Sequence, residues 1–312
     1  MQPTFERFNE LPKELKIETA HNLSVPDLVS LSLTSKSHLT LFKPIADVLI
    51  VVRKLLPHVV QGKHEAVQAI LKKDISLIFK RGVVTDCSGR TFESISAFEY
   101  ALWAIDKHMW AAMIACIPEN EEGREIVAQL MAQYNKLNKD GVTYRIHGKA
   151  ITEKHFDFEN TIIKELQTQV DSIRATEDKN WDAIHKQWRE GVGGAQKKLP
   201  MHVVDEYCSE EPFYPVPQFT SQPTSLKQFY NWTTEKDEAW FDVDSKLGSE
   251  FAIYKGRGLV TPRPNGLGLC VADLDAMKAL YEVRTKDFID LESQLEKGAS
   301  LDNYPQVVMI TS

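Results

Sequence analysis

The chain has 312 residues and a formal net charge of −7 at pH 7, with 43% hydrophobic and 26% charged residues. This composition is typical of a folded globular protein and excludes disordered, collagenous and fibrous chains. The length suffices for about two or three domains. Nucleic-acid binding is disfavoured, because it needs a basic stripe to neutralise phosphates, and neither the net charge nor any local run supplies one.

The cysteines Cys87, Cys116, Cys208 and Cys270 lie far apart and form no CxxC pair. This spacing argues against a structural zinc site and a disulfide framework, and fits a reducing compartment. The most apolar stretch, residues 45–56, is shorter than the ~20 residues of a membrane span and contains two charges. No secretory signal pattern is visible. We therefore expect a soluble protein.

Three compositional zones predict a mainly α fold. Residues 1–44 have the leucine spacing and caps of short helices, and residues 45–140 the pattern of successive helix pairs. Residues 141–312 combine long helices with an irregular stretch, rich in proline and aromatic residues, at 200–232. Strand signals are few, and short runs such as 82–85 and 143–146 carry them.

Two long helices are predicted in the C-terminal zone. Residues 152–174 are periodic, and residues 271–297 form the clearest helical pattern, with Gly298 as the stop. The seam of the second helix is Leu274, Met277, Tyr281, Arg284, Phe288, Leu291 and Leu295. We expect this seam to pack on the preceding part of the chain; a coiled-coil partner is the alternative.

The first forty residues carry the sharpest signal. Pro12 stands where a first helix tolerates proline, and Ser24 with Asp27 three positions later predicts a capped second helix. A third helix is predicted from Thr34-Ser35 through Phe42. Because three such short helices lack the volume for a self-sufficient core, another part of the chain or a partner protein must complete them.

These residues resemble the F-box, the module that docks substrate receptors on the Skp-type adaptor of cullin-RING ubiquitin ligases. The resemblance is carried by Leu11-Pro12, Glu14-Leu15, Ile17, Leu23, Pro26-Asp27-Leu28, Leu31, Ser35-Lys36 and Leu41. It departs from the family at Thr19, where a large aliphatic residue is usual, and at His38, where an aromatic residue is common. The resemblance implies that the adaptor is contacted by Leu11, Pro12, Leu15, Ile17, Pro26 and Leu28.

The middle zone resembles ankyrin repeats. Residues 62–71 are similar to a repeat's second helix, residues 86–91 to its turn, and residues 95–104 to its first helix. Residues 106–110 repeat the pattern of 62–65 at a spacing longer than the usual ~33 residues, which implies an insertion at 75–84. An irregular helical bundle is the alternative.

Four aromatic residues of this zone lie close together in the sequence. Phe98 and Trp103 are predicted to be core, whereas Tyr100 and Trp110 are candidates for binding a target protein.

No catalytic constellation rises above background. His202 and Cys208 are six residues apart, so they would face different sides of a helix. His155 and Glu159 could share a helical face, but a metal site needs further ligands, and a solvated face is the better interpretation. The glycine-rich run 191–194 follows a helix and lacks a Lys-Ser/Thr ending, so it predicts a helix stop. We expect no cofactor and no metal.

The combination of F-box and ankyrin-like segments resembles the translocated effectors of intracellular bacteria, particularly the Legionella F-box and ankyrin group. It implies a non-catalytic substrate receptor for a host ubiquitin ligase, delivered by a type IV system into the host cytoplasm as a virulence factor. The tail, residues 292–312, is compatible with a C-terminal secretion signal. Two alternatives remain open: a scaffold whose N-terminal helices only cap its own fold, and an unrecognised enzyme in residues 145–312.

Overall fold

A computed structural model describes residues 8–21, 23–175, 178–231, 234–242, 245–256 and 267–299. The predicted mainly α class is confirmed: helices dominate, and the strands form only small antiparallel sheets. None of the helices in these ranges combines the length and the hydropathy that crossing a bilayer requires. The end of the predicted secretion signal, residues 300–312, lies outside the described residues.

Three helices open the chain: α1 (Lys13–His21), α2 (Val25–Ser32) and α3 (Lys36–Val60), preceded by a 3-10 turn at Phe8–Glu10. The predicted caps are present. The Ser24 hydroxyl accepts from the Asp27 amide over 3.3 Å and donates to its carboxylate over 2.6 Å, and Ser35 caps α3 through the His38 amide.

The third helix is much longer than predicted. It continues through Pro44 to Val60, so the predicted domain boundary at 44/45 falls inside one continuous helix. The apolar run 45–56 explains this length, because its buried side chains contact two different cores. Phe42 and Ala46 belong to the N-terminal core, whereas Val52 and Leu55 belong to the main core.

A hairpin separates two helix pairs in the middle zone. The helix α4 (His64–Leu71) packs on α3, and Gly62, with φ +64°, makes the predicted turn between them. A 3-10 turn (Ile75–Phe79) and most of β1 (Gly82–Thr85) occupy the predicted insertion, and β2 (Thr91–Ile95), α5 (Ala97–Trp103) and α6 (Lys107–Ile114) follow.

The sheet crosses the second predicted boundary, at 140/141. After α7 (Glu121–Asp140), strands β3 (Val142–Ile146) and β4 (Lys149–Glu153) extend the hairpin into a four-stranded antiparallel sheet in the order β1-β2-β3-β4. The regions 45–140 and 141–312 therefore share one hydrophobic core.

The C-terminal zone is helical with one further hairpin. Its elements are a π-helical turn (Glu159–Ile163), α8 (Lys164–Arg174), α9 (Trp181–Lys186), a π-helical segment (Gln187–Val192), α10 (Gly193–Gln196), α11 (Met201–Cys208), β5 (Gln228–Asn231), β6 (Lys236–Ala239) and α12 (Leu267–Ala299). The helix predicted from 152 begins only at Glu159, because residues 149–153 pair with β3 instead. The helix stop predicted at 191–194 is wrong, since the helix continues through these glycines.

The long last helix packs as expected on its own chain. It lies against α7 and α8, and its seam is buried except at the half-buried Tyr281.

Candidate docking surface

The N-terminal helices have a core of their own. We define residues 8–49 as the N-terminal module; its buried apolar residues are Phe8, Ala20, Leu28, Phe42 and Ala46. This cluster is separate from the main core, although α3 runs through both. The module therefore needs little from the rest of the chain to bury its apolar side chains beyond the rigid helix on which it sits.

Several residues predicted to contact the adaptor are accessible. Pro12 and Pro26 are exposed, Leu15 is 46% exposed, and Leu11 and Ile17 are half-buried. These residues are therefore available for contact with a partner, and full burial of a large aliphatic side chain stabilises by about 1.5–3 kcal/mol.

Leu28 must be removed from the predicted contacts. Its side chain is completely buried in the module's own core, where it holds α2 against α3. Two residues that sequence reasoning did not assign to the adaptor are more accessible: Leu33 is 73% exposed at the end of α2, and Leu39 is 39% exposed on α3. The leucine spacing alone did not show which of these leucines face outward.

Both departures from the F-box pattern have a local explanation. His38 fills the place of an aromatic residue, because its ring packs 5.8 Å from Phe8 and 5.4 Å from Phe42, centroid to centroid. Its Nδ1 lies 2.7 Å from the Thr34 hydroxyl. The Thr19 hydroxyl donates to the Leu15 carbonyl over 2.7 Å, so it is satisfied within α1.

The candidate target-binding residues lie in the core. Tyr100 is 4% and Trp110 is 3% exposed. Tyr100 packs edge-on against Phe92 at 5.3 Å, and Trp110 contacts Phe288 of the last helix. Neither side chain can meet a target from these positions, so that prediction is corrected. Phe98 and Trp103 are fully buried, as predicted.

A buried polar cluster joins α6, α11 and α12. Arg284 has no exposed surface, and its guanidinium donates to the Phe219 carbonyl over 2.9 Å and lies 3.0 Å from His108 Nε2. Glu206 Oε1 lies 3.5 Å and Asp287 Oδ2 3.2 Å from the same guanidinium. Since a buried cation must be paired to be tolerated, the carboxylates account for its presence, and the cluster clamps the helices together.

The stretch that contains His202 and Cys208 does not form a nucleophile–base pair. His202 Nε2 lies 2.8 Å from the Ala104 carbonyl. This contact joins α11 to the end of α5. Burial raises the pKa of the Cys208 thiol to about 12, against a smaller opposing effect of Lys255. A thiol in this state is protonated and a poor nucleophile.

The proposed metal ligands also remain apart. His155 lies before the helix that contains Glu159, and its Nδ1 lies 3.0 Å from the Phe156 carbonyl. Across the described ranges, no group of three or more His, Cys, Asp or Glu side chains is arranged to hold a metal ion.

Comparison with known proteins adds a family. A family model described as the CBUA0006 C-terminal domain matches residues 161–295. The uncharacterized protein CBUA0006 of Coxiella burnetii (strain RSA 493 / Nine Mile phase I) is 38% identical over 263 residues, covering 77% of this chain and 74% of the Coxiella protein. The chain belongs to the CBUA0006 family. No solved structure matches it significantly.

The CBUA0006 C-terminal domain comprises α8 to α11 and most of α12. It therefore contains Glu206 and Arg284 of the buried cluster, whereas the N-terminal module lies outside it. We call the chain after the N-terminal module the body of the protein. The family model covers part of this body and does not include the docking surface.

Proposed function

We propose that the N-terminal module docks on the Skp-type adaptor of a cullin-RING ubiquitin ligase, and that the body of the protein recruits a target for ubiquitin transfer. The observation that carries the proposal is that the F-box-like sequence forms a separately packed module. Several of the residues predicted to contact the adaptor remain accessible on it. The chain itself positions reactants and supplies no acid, base or nucleophile.

Exposure of the predicted contacts supports docking over capping. If the helices only capped the fold, Leu11 and Pro12 would be buried against the main body. Pro12 is exposed, and Leu11 is half-buried against the module's own core. Burying a few such side chains against the adaptor, at about 1.5–3 kcal/mol for each large aliphatic residue, would give stable binding.

Delivery into a host cell is the second part of the proposal. The Coxiella relative comes from a bacterium with type IV secretion. An F-box-like module acts only where a cullin-RING ligase is present, so a bacterial chain that contains one would work in the host cytoplasm.

The test is a calorimetric titration of the purified full chain with purified Skp-type adaptor. We expect one-to-one binding by the wild type and at least tenfold weaker binding by the double variant Pro12→Ala/Leu15→Ala. Both residues are exposed, so the variant should keep its thermal unfolding midpoint.

The matched control is Val83→Ala/Ile289→Ala, which truncates two residues that are 61% and 58% exposed outside the module. It should bind like the wild type. Absence of binding by a well-folded wild type would refute the proposal and identify the N-terminal helices as a cap.

A further inference from the structure

A long groove runs beside the end of α11. One cavity of about 680 Å³ is lined by residues 208–210 at the helix end, by strand β5 and by residues 251–255. A second cavity, of about 530 Å³, shares Cys208, Ser209, Glu210 and Gln228 with the first and continues along residues 221–226. These volumes are in the range of ligand-binding clefts.

One wall of the groove presents main-chain groups that have no partner among the described residues. The main chain of Ile253 bonds on its inner side to the Gln196 amide, with its N–H donating over 2.9 Å and its carbonyl accepting over 2.8 Å. Two residues on, the Lys255 N–H donates to Asp273 over 3.0 Å. This repeat of two is that of an extended chain, in which alternate residues direct their main-chain groups to opposite sides.

The main-chain groups of the intervening residues therefore point away from Gln196 and Asp273, and residues 251–255 all line the groove. Ala252 and Tyr254 both line it, and their main-chain groups make no hydrogen bond to any other described residue. Two residues of this kind offer two N–H and two carbonyl groups in strand geometry, which is the pattern that an added strand satisfies.

The floor is aromatic. The rings of Phe229 and Phe251 lie 5.3 Å apart, and Tyr254 stacks on Trp188 with centroids 3.6 Å apart. Such a surface suits alternate apolar side chains of an extended segment.

The charges at the groove select a basic occupant. Glu210, Glu211 and Asp237 are exposed around it and form no ion pair with other described residues. Lys255 also lines the groove, where its ammonium donates to the Glu206 carbonyl over 2.7 Å and to both oxygens of Ser209, so one fixed cation stands against three carboxylates. Its role is to cap the carbonyl end of α11.

We propose that this groove binds an extended basic segment of a partner protein, which adds as a strand along residues 251–255. Its main chain pairs with Ala252 and Tyr254, its apolar side chains lie on the aromatic floor, and its Lys or Arg side chains meet the three carboxylates. The proposal is independent of adaptor docking, because the groove lies in the body and none of its residues belongs to the N-terminal module.

The test uses a fluorescein-labelled octapeptide of alternating Arg and Val, and the full chain. We expect saturable binding in fluorescence anisotropy, and slower amide hydrogen exchange at Ala252 and Tyr254 in the complex. An alternating Glu and Val octapeptide should not bind, and a peptide N-methylated at alternate residues should bind at least tenfold more weakly than its unmethylated parent.

Two charge-reversal variants decide where the peptide binds. Glu210→Lys/Glu211→Lys/Asp237→Lys should weaken binding at least tenfold, whereas Glu65→Lys/Glu122→Lys/Asp290→Lys, with the same change in net charge at exposed sites elsewhere, should not. Equal weakening by both variants, no binding by the wild type, or binding without protection of the two amides would overturn the proposal.

Discussion

The guanidinium carbon of Arg90 lies 5.2 Å from the centre of the Trp103 ring, and both side chains are buried. The same cation lies 5.6 Å from Tyr144 and 5.2 Å from Phe156. It donates to Asp86 over 3.0 Å and to the Lys198 carbonyl over 2.6 Å. One side chain thus ties the β1–β2 hairpin to the segment before α11, in an aromatic enclosure that suits a planar cation.

We predict that Arg90→Met lowers the free energy of unfolding by about 3–5 kcal/mol, because it leaves the buried Asp86 carboxylate without its cation. Urea unfolding measures the loss. The control is Arg145→Met, which breaks a surface ion pair with Glu93 whose side chains are 59% and 65% exposed, and should cost less than about 1 kcal/mol. Similar losses in the two variants would contradict this role of Arg90.

Two adjacent glycines should respond oppositely to alanine. A Cβ on Gly193 would lie 2.6 Å from the Phe251 carbonyl oxygen, whereas one on Gly194 would meet nothing within 4 Å. Both lie in α10, where alanine is favoured over glycine by about 1 kcal/mol. Gly194→Ala should therefore raise the thermal midpoint of unfolding, and Gly193→Ala should lower it. A rise in both variants would contradict the prediction and show that residues 248–251 can move to make room for the new methyl group.

The N-terminal module should unfold locally when its core is cut. Leu28→Ala removes a fully buried side chain and should cost about 2–5 kcal/mol within the module. Hydrogen exchange should accelerate in α1 and α2 while α5 keeps its protection, since the two cores are separate. Leu39→Ala, at a 39% exposed position, is the control. Acceleration in α5 as well would mean that the cores unfold together.

Three buried titratable groups on α11 should contribute to the pH dependence of stability. Burial lowers the pKa of His202 to about 4, so between pH 4 and 6.5 the unfolded chain binds a proton that the folded chain does not. His202 therefore makes stability rise with pH in that range. Burial raises the pKa values of Asp205 and Glu206 to about 7, so these carboxyls have the opposite effect, and stability falls as pH rises towards 7.

Removing the imidazole should expose the carboxyl contribution. In His202→Gln, whose amide can still donate to the Ala104 carbonyl, the slope of unfolding free energy against pH should become more negative by up to about 1.4 kcal/mol per pH unit between pH 4.5 and 6.5. Urea unfolding at three pH values measures it. The exposed imidazole of His185 provides the control variant, His185→Gln; an unchanged slope in His202→Gln would contradict the assignment.

Local signals in the sequence were sufficient for much of the secondary structure. The caps at Ser24 and Ser35 and the glycine turn at Gly62 depend on neighbouring residues only, so they could be predicted and were found. The seam from Leu274 to Leu295 follows from helical periodicity in the same way. The exposure of Pro12 and Leu15 agrees with the predicted docking edge, whose binding to an adaptor stays a prediction.

What the sequence left open depends on contacts between distant residues. Leucine spacing could not show that Leu28 faces inward and Leu39 outward, because leucine occurs at buried as well as at more exposed positions of α2 and α3. The length of α3, the burial of Tyr100 and Trp110, and the passage of the helix through Gly193 were decided by packing against partners far along the chain. Residues 251–255 are likewise held by distant side chains, since Gln196 and Asp273 bond to alternate residues of an otherwise irregular segment. Periodicity and capping depend on residues a few positions apart, so the sequence alone predicts them. Which polar groups are hydrogen-bonded depends on residues far apart in the chain, so only the tertiary structure decides it.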